Sequence, residues 1–350
     1  MAVKVGINGF GRIGRLVFNA LVDQGLLGKE VDVVAVVDVS TDAKYFAYQL
    51  KYDSVHGKLK AEISSEKSDA SLENDDILVV NGNKTKCVMA QKETSQLPWK
   101  ELGVDYVIEA TGIFTHSDKA KGHLEAGAKK VIISAPGKGD VKTLVMGVND
   151  EEYDAEKHHI VSNASCTTNC LAPVAMVLDK LCGINQGYMT TVHAFTGDQA
   201  ILDTLHSDKR RARSASQSII PTSTGAAKAV GLVLPQLAGK LDGTAVRVPT
   251  PNVSMIDLVF NAKKKVTVEE INKAMIKVSS GSLKGVLNTS DEPLVSIDYN
   301  HNPASSTFDL TQTEVIGGKL GRVLSWYDNE WGFANRMSDT ASIIGKLIKK

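Results

Sequence analysis

The 350-residue sequence has little cysteine, no excess charge of either sign and no long apolar run. Four cysteines in so long a chain cannot form the disulfide framework of a secreted protein, so a reducing, cytoplasmic setting is expected. Forty basic and forty acidic side chains give a net charge of zero, which offers no long-range field to nucleic acid or anionic lipid. No apolar stretch reaches membrane-spanning length, and the opening MAVKVGINGFG is not a signal peptide. We therefore expect a globular protein with neither a membrane nor a nucleic acid as its main partner.

The N-terminal half of the chain repeats a strand and helix unit. Val3, Val5 and Ile7 alternate as in a strand, helical spacing of apolar residues follows from Ile13, and a second strand, VDVVAVVD, begins at Val31. This order predicts a βαβ unit of a parallel sheet. Later apolar runs, ILVVN, VDYVIEATG and KKVIISAPG, predict further buried strands of the same sheet, whose carboxyl ends are where ligands bind.

A glycine-rich turn connects the first strand to the first helix. Gly9, Gly11 and Gly14 form a G-x-G-x-x-G pattern, in which they permit the tight turn, backbone approach to a pyrophosphate and close helix packing, respectively. Asp38 ends the next strand, where it would bind the adenosine ribose and repel a 2′-phosphate, which favours NAD over NADP. The alternatives are a plain turn and an ordinary strand-end aspartate. Arg12 is either a surface charge or a neighbour of the pyrophosphate.

The segment SNASCTTNC contains two cysteines with three residues between them. No other cysteine pair has the spacing that a metal site needs, so we predict no metal. A disulfide between these two cysteines would distort the helix that contains them, so we do not expect one. If a helix begins just after Ser165, Cys166 lies at its N-terminal end, where the helix dipole and free N–H groups stabilise a thiolate. Cys170, one turn later, is expected to be a small buried hydrophobe. From these residues alone, a catalytic and a structural Cys166 remain equally open.

One of the eight histidines differs from the others. His193 lies near the end of an apolar strand, just before a polar turn, where its side chain can face a cleft and act as a base. The other seven lie in polar surroundings, and most are expected to be exposed. Since the sequence does not show the distance from His193 to Cys166, a buried strand-end histidine remains the alternative.

Several long segments together carry a family resemblance. They are, in chain order, INGFGRIGR, SNASCTTNCLAP, TVHAFTGDQ, RRARSASQSIIPTSTGAAKAV, RVPTPNVS and WYDNEWGF. The chain resembles the phosphorylating glyceraldehyde-3-phosphate dehydrogenases from its first strand to its final helix. The resemblance implies an α/β protein: a Rossmann-type doubly wound parallel sheet in residues 1–164, an α+β catalytic domain with a mostly antiparallel sheet in 165–331, and a C-terminal helix in 332–350 that packs back on the first domain.

The resemblance also implies a reaction, the NAD-dependent oxidation of glyceraldehyde 3-phosphate with inorganic phosphate, as in glycolysis and gluconeogenesis. Cys166 would attack the aldehyde carbon, and hydride transfer from the resulting thiohemiacetal to the nicotinamide would leave a thioester. His193 would pair with the thiolate, take the hemiacetal proton and assist the attack of phosphate. That attack would release 1,3-bisphosphoglycerate.

Further site residues follow from the same resemblance. Thr196, Asp198 and Arg247 match the site of the substrate's phosphate, with Arg247 as the cation and Asp198 as its orienter. The site of the attacking inorganic phosphate is matched by Ser165, Thr167, Arg211, Thr224 and Gly225. The matched cofactor positions are Gly9, Gly11, Arg12, Ile13, Gly14, Asp38, Thr111, Gly112 and Asn329, the last of which would hold the nicotinamide carboxamide. Without the resemblance, RRAR and PTSTG would indicate only a solvated charge run and a turn.

The resemblance also bears on assembly and on the choice of cofactor. The polar segment from Thr196 to about Ala215 resembles a loop that reaches a neighbouring subunit, which implies a homotetramer. Val37 stands where many NAD-linked members have asparagine, and Thr204 with Leu205 replaces a common Leu-Pro pair near the adenosine. Both departures fall in the region that helps to exclude NADP.

Three alternative functions remain to be weighed. A paralogue that acts on erythrose 4-phosphate would share the cofactor and the cysteine, but the two anion clusters favour the first reading. A cysteine hydrolase would leave the glycine turn and Asp38 unexplained. A binding role for RNA or a protein lacks the basic, aromatic surface pattern that such a role requires.

Overall fold

The computed structural model describes residues 2–348. The chain divides into two units. The first contains the chain up to Leu144, Glu152–Asn163 and the chain from Ala334 onward, and the second contains Val145–Glu151 and Ala164–Phe333. No helix within residues 2–348 is both long enough and apolar enough to cross a membrane.

The first unit is built on a nine-stranded sheet with a small separate hairpin, β3 and β4. Its strands are β1 Val3–Asn8, β2 Val31–Asp38, β3 Tyr52–Asp53, β4 Gly57–Lys58, β5 Ile63–Glu66, β6 Ile77–Val80, β7 Asn83–Met89, β8 Tyr106–Glu109, β9 Lys130–Ile133, β10 Lys142–Thr143 and β11 Ile160–Ser162. Its helices are α1 Arg12–Asp23, α2 Ala43–Lys51 and α3 Ser117–Glu125. The order across the sheet is β10-β11-β9-β8-β1-β2-β7-β6-β5.

The predicted parallel sheet is confirmed from β10 to β7, whose neighbours all pair in parallel. The strand ILVV, β6, differs from the prediction because it pairs antiparallel with β7. Its turn explains the difference. Asn81 and Gly82 both have positive φ, 48° and 79°, which is the Asn-Gly pattern of a two-residue hairpin. The sheet thus has an antiparallel edge on an otherwise parallel body.

The second unit is built on an eight-stranded sheet. Its strands are β12 Ile184–Ala194, β13 Ile220–Ser223, β14 Leu241–Val248, β15 Ser254–Ala262, β16 Leu287–Ser290, β17 Ser306–Asp309, β18 Glu314–Ile316 and β19 Leu320–Tyr327. Its helices are α4 Cys166–Cys182, α5 Ala226–Val233 and α6 Val268–Ser279. The order is β13-β14-β12-β15-β19-β17-β16, with β18 also on β19. Most pairs are antiparallel, as expected, and β12 with β14 and β16 with β17 are the parallel ones.

Helix α4 lies at the centre of the core of the second unit. Its apolar residues Leu171, Val174 and Leu178 are fully buried, and they belong to one cluster with Phe260 of β15 and Val323 of β19. Burial of such a stripe, at about 25 cal/mol per Å² of apolar surface, holds the helix on the sheet. The position of the first residue of α4, Cys166, is therefore fixed by a rigid core.

The last helix, α7 Trp331–Ile348, begins in the second unit and belongs to the first from Ala334 onward. Within the first unit, Ser338 Oγ donates to Gln24 Oε1 at 2.6 Å, just beyond the end of α1. Asn163 Nδ2 donates to Thr340 Oγ1 at 2.8 Å. These two hydrogen bonds tie α7 to the end of α1 and to the residue that follows β11.

Candidate active site

The N-terminus of α4 presents a cysteine on a constrained turn. Ser165 is the N-cap, and its Oγ accepts from Thr168 N at 3.1 Å, as a capping hydroxyl does. Ala164, the residue before it, has φ of 57°, a left-handed conformation that costs a non-glycine residue about 1 kcal/mol or more. Strain of this kind is concentrated at functional turns, and here it precedes a half-buried Cys166.

Cys166 and His193 lie side by side. The Sγ of Cys166 is 3.6 Å from Nε2 of His193, the penultimate residue of β12. The other ring nitrogen, Nδ1, is 2.7 Å from the carbonyl oxygen of Ala194. Because a carbonyl can only accept, Nδ1 carries the proton, and Nε2 offers a lone pair to the thiol. The pair has the geometry of a nucleophile and its base.

Burial of this pair disfavours a state in which only one of the two side chains is charged. Burial raises the pKa of the Cys166 thiol, while the guanidinium of Arg247 and the hydroxyl and N–H of Thr167 act in the opposite direction. Burial and the positive charge of Arg247 lower the pKa of His193 to about 3. Transfer of the proton from Sγ to Nε2 charges both groups at once, and two opposite charges at this separation stabilise each other. The two residues therefore act as one unit.

Arg247 is held beside the pair by the pairing of two strands. His193 of β12 and Arg247 of β14 are register partners in a parallel ladder. Arg247 Nη1 donates to the carbonyl of Ala194 at 3.1 Å and to Thr196 Oγ1 at 2.7 Å. Its Nε is buried and has no hydrogen-bond partner among the described residues. A half-buried guanidinium with an unused N–H is suited to bind an anion.

Arg211 is the second cation of the site, and all three of its nitrogens are bonded. They donate to Thr222 Oγ1 at 3.0 Å, Asp198 Oδ2 at 3.1 Å and the carbonyl of Ser223 at 3.2 Å. Asp198 therefore pairs directly with Arg211. Asp198 also accepts from Thr196 Oγ1, which itself accepts from Arg247 Nη1, so one hydroxyl links Asp198 to Arg247. The role of Asp198 as the orienter of Arg247 stays a prediction.

Two helix N-termini meet near Cys166. Thr168 Oγ1 is 2.8 Å from Ser165 Oγ and 3.3 Å from the carbonyl of Ala226, the first residue of α5. Thr224 and Gly225 immediately precede α5, so they lie near the start of α4 together with Ser165. N–H groups at two helix starts favour a negative ligand. The hydroxyl of Thr167, by contrast, is buried against Tyr327 OH at 2.8 Å.

The first unit contains a groove of about 790 Å³ at the carboxyl ends of β1, β2 and β8. Gly9, with φ of 96°, makes the turn there, and a Cβ on Gly14 would lie only 2.0 Å from Gly9 O. A Cβ on Gly11 would meet no atom within 4 Å, so its backbone is open to a ligand. Asp38 accepts from Phe10 N at 2.8 Å and from Val39 N at 2.7 Å, and a carboxylate keeps further lone pairs for a ribose. These residues fit a dinucleotide.

The structure brings some of the predicted cofactor residues to this groove and leaves others outside it. Those that line it are Gly9, Gly11, Asp38 and Thr111. Those of the first unit that do not line it are Arg12, Ile13, Gly14 and Gly112. Arg12 Nη1 forms an ion pair with Asp53 at 2.6 Å, on a different cavity. Asn329 belongs to the second unit, where its Oδ1 accepts from Ser254 Oγ at 2.8 Å.

Comparison with known proteins explains both units. Residues 3–117 match the model of the glyceraldehyde 3-phosphate dehydrogenase NAD binding domain, and residues 165–329 match the model of the C-terminal domain of the same enzyme. The chain belongs to the glyceraldehyde-3-phosphate dehydrogenase family. The fold class and the resemblance inferred from sequence are thereby confirmed, and the chain is an NAD-dependent oxidoreductase of this family.

Full-length relatives agree with this assignment. A glyceraldehyde-3-phosphate dehydrogenase of Xanthobacter flavus is 58% identical over 350 residues, which cover 99% of this chain and 100% of the relative. One of Geobacillus stearothermophilus is 58% identical over 344 residues, 98% of each chain. Glyceraldehyde-3-phosphate dehydrogenase 1 of Bacillus subtilis (strain 168) is 57% identical over 346 residues, 99% of each chain.

Several polar residues of this family member escaped the sequence analysis. His123 was expected in polar surroundings but is fully buried, and of the seven histidines other than His193 only His159 and His301 are exposed. Glu109 is buried at the end of an apolar strand and bonds to Asn8 in the groove wall. Tyr327 OH bridges Thr167 and Thr191 beside the His193 ring. The one signal in the sequence was the position of Glu109 inside the apolar strand of VIEATG, because buried carboxylates are rare and such a residue therefore indicates a bonded, structurally important side chain. Residues 2–348 hold no group of three ligand-type side chains suited to a metal.

Proposed function

We propose that the chain catalyses the oxidation of glyceraldehyde 3-phosphate by NAD with inorganic phosphate as the second substrate, producing 1,3-bisphosphoglycerate. The observation that carries this proposal is the Cys166 thiol at the start of α4, 3.6 Å from an imidazole nitrogen whose lone pair faces it. Two arginines lie around the pair, as a substrate and a co-substrate that are both phosphates require.

The first step is nucleophilic attack by Cys166 on the aldehyde carbon. The Sγ–C bond forms, the carbonyl π bond breaks toward oxygen, and the thiol proton passes through Nε2 of His193 to that oxygen, which leaves the Nε2 lone pair available again. Nδ1 keeps its hydrogen bond to Ala194 O throughout, so the ring does not need to turn. The product, a thiohemiacetal, remains attached to Cys166.

When bound, NAD supplies the acceptor for the hydride that leaves this carbon, chemistry that no side chain can perform. The chain's own part is to take the proton of the hemiacetal hydroxyl on Nε2 of His193 as the carbon–oxygen double bond re-forms. A thioester on Cys166 then remains. Attack of a phosphate oxygen breaks the S–C bond and returns Cys166 as the leaving thiolate.

The residues that would hold the two phosphates are those that the family resemblance indicates. Thr196, Asp198 and Arg247 are assigned to the phosphate of the substrate, an assignment that the unpartnered Nε of Arg247 supports. The inorganic phosphate is assigned to Ser165, Thr167, Arg211, Thr224 and Gly225. For Thr167, the N–H is the more suitable donor, since its hydroxyl is bonded to Tyr327.

The residues that would hold NAD are those of the groove together with the glycine turn. Gly9, Gly11, Arg12, Ile13 and Gly14 would bind through backbone N–H groups and the start of α1. Asp38 would bind the adenosine ribose, with Thr111 and Gly112 at the neighbouring strand end. Asn329, whose amide orientation is fixed by Ser254, is assigned to the carboxamide by resemblance.

We also propose that the chain forms a homotetramer in the cytoplasm. The polar segment that begins at Thr196 exposes large apolar side chains, with Ile201 at 72%, Leu202 at 69% and Leu205 at 99% exposure. Apolar patches of this kind mark surfaces that another chain covers. The four cysteines are free thiols, which agrees with a reducing compartment.

One assay tests the reaction. Purified protein is mixed with glyceraldehyde 3-phosphate, NAD and inorganic phosphate, and NADH absorbance is followed beside samples that lack phosphate or contain Cys166→Ser. Steady NADH formation that needs phosphate and is lost in Cys166→Ser is expected. Phosphate-independent turnover, or unchanged turnover in Cys166→Ser, would show that the proposed reaction is wrong.

A further inference from the structure

A chain of buried hydrogen bonds lies behind the wall of the dinucleotide groove. It runs from Trp99 through His123 to Glu109 and ends at Asn8 and Thr111, which both line the groove. Trp99 and His123 are inaccessible to solvent, and Glu109 is 1% exposed. The proposed reaction uses none of these three side chains. A buried carboxylate is unfavourable unless it is fully bonded, so its presence here needs a reason.

The proton positions in this chain are determined by the indole. Trp99 Nε1 can only donate, and it lies 2.9 Å from Nδ1 of His123. Nδ1 must therefore be the accepting nitrogen, and the proton of the neutral ring lies on Nε2. Nε2 is 3.0 Å from Oε2 of Glu109, to which it donates. Every hydrogen bond in the chain thus points toward the carboxylate.

Glu109 accepts from four donors, and none of them is a cation. Oε2 accepts from His123 and from Asn8 Nδ2 at 2.6 Å. Oε1 accepts from the backbone N–H of Thr111 at 2.8 Å and from its hydroxyl. A carboxylate has room for all four bonds, whereas an amide of the same shape does not.

The carboxylate also joins two strand ends. Asn8 ends β1 and Glu109 ends β8, and the two are register partners. One N–H of Asn8 Nδ2 is bound to Glu109, so the amide cannot turn over, and its Oδ1 stays on the side away from the carboxylate. The Thr111 proton is likewise directed to Glu109, and its oxygen accepts from Ile113 N at 3.0 Å.

We propose that Glu109 is a positioning residue for NAD, held by donors that include His123, whose tautomer is selected by the indole of Trp99. It fixes which polar atoms Asn8 and Thr111 present at the ends of two adjacent strands of the groove. The inference rests on the proposed function, in which this groove holds the dinucleotide.

The first test is Glu109→Gln. The new amide nitrogen must face either the donors of Asn8 and His123 or those of Thr111. In both orientations the NH₂ group of the glutamine therefore meets other hydrogen-bond donors instead of acceptors. His123 cannot adapt by moving its proton to Nδ1, because that proton would meet the indole N–H. We expect the Kd for NAD, measured by calorimetry, and the KM for NAD to rise at least about tenfold. The KM for glyceraldehyde 3-phosphate should stay within about twofold, and the exposed Glu101→Gln is the matched control for charge.

The second test is rescue. Trp99→Phe removes the indole N–H, so His123 can carry its proton on Nδ1 and accept from the new amide through Nε2. We expect Trp99→Phe alone to stay within about threefold of the wild-type Kd, because the donors to Glu109 remain. The Glu109→Gln, Trp99→Phe double variant should bind NAD at least about threefold more tightly than Glu109→Gln. If these side chains had a purely structural role, the losses of NAD affinity in the two single variants would instead add in the double variant.

The outcomes are distinct. Wild-type affinity in Glu109→Gln, or additive losses in the double variant, would overturn the proposal. If Glu109→Gln does not fold, the double variant is tested in its place. A double variant that folds and binds NAD shows the same rescue, and a double variant that does not fold contradicts the proposal. A wild-type chain that does not bind NAD would overturn the proposed function instead.

Discussion

The Sγ of Cys166 lies 3.6 Å from Nε2 of His193, and Nδ1 of the same ring is committed to the carbonyl of Ala194. This relationship makes the reactivity of the thiol depend on the imidazole. Burial raises the pKa of Cys166, so a thiol without its base has little thiolate at neutral pH.

Replacement of the base should therefore shift the alkylation of Cys166 to higher pH. At pH 7 we expect His193→Asn to react with iodoacetamide at least about tenfold more slowly than the wild type, and its rate should rise about tenfold per pH unit below the thiol pKa. Mass spectrometry of the labelled peptide measures the rate at Cys166, and the exposed His159→Asn is the control. Equal rates in both proteins at every pH would contradict the role given to His193.

The two arginines should separate the two phosphates. Lysine keeps the charge but not the planar fork, so Arg211→Lys is expected to raise the KM for inorganic phosphate about tenfold and to leave the KM for glyceraldehyde 3-phosphate within about threefold. Arg247→Lys should do the reverse. Initial rates at varied concentrations of each substrate measure both constants. If each variant raised both constants equally, the assignment of two separate anion sites would be wrong.

Two glycines of the same turn should respond differently to one added methyl group. Gly14→Ala places a Cβ 2.0 Å from Gly9 O, so a loss of about 1–3 kcal/mol in the free energy of unfolding is expected. Gly11→Ala meets no protein atom within 4 Å and should leave stability unchanged while it weakens NAD binding at the backbone approach. Denaturant unfolding and calorimetry give the two quantities. Similar stability losses in both variants would argue against the described packing of the turn.

The carboxylate of Asp38 should control the choice between NAD and NADP. Asp38→Ala removes a negative charge and frees the N–H groups of Phe10 and Val39, which could then bind a 2′-phosphate. We expect the ratio of kcat/KM for NAD to that for NADP to fall at least about tenfold. Asp32→Ala, at the opposite end of β2, is the matched control. An unchanged ratio would assign cofactor choice to other residues.

Local patterns predicted the elements that carry the site. The alternation in β1, the glycine turn and a helix that begins just after Ser165 are features of adjacent residues, and the structure has each of them at the position considered from sequence. The antiparallel edge was missed because the Asn81-Gly82 turn signal was passed over in favour of the repeating βα pattern. The domain limits near residues 164 and 331 and the roles of the site residues stay predictions.

Contacts between distant segments could not be predicted. Asp198 was assigned to Arg247 alone; in the structure it bonds directly to Arg211 and is linked to Arg247 through the hydroxyl of Thr196, and the fold rather than the spacing brings these segments together. His123 was judged by its polar sequence neighbours, whereas the helix α3 turns it inward to Trp99 and Glu109, 24 and 14 residues away along the chain. Burial of a polar side chain depends on such partners, which no spacing rule contains.

The register of β12 against β14 has a consequence for substrate length. His193 and Arg247 are paired residues of one ladder, so the distance between the proposed base and the proposed phosphate ligand is set by the register. A shift of one strand by one residue would turn one of the two side chains to the opposite face. In the proposed reaction, the pairing of the two strands therefore sets the distance between the aldehyde carbon and the phosphate of the substrate. We expect a sugar phosphate with a longer carbon chain to be unable to place its aldehyde carbon beside His193 and its phosphate at Arg247 at the same time.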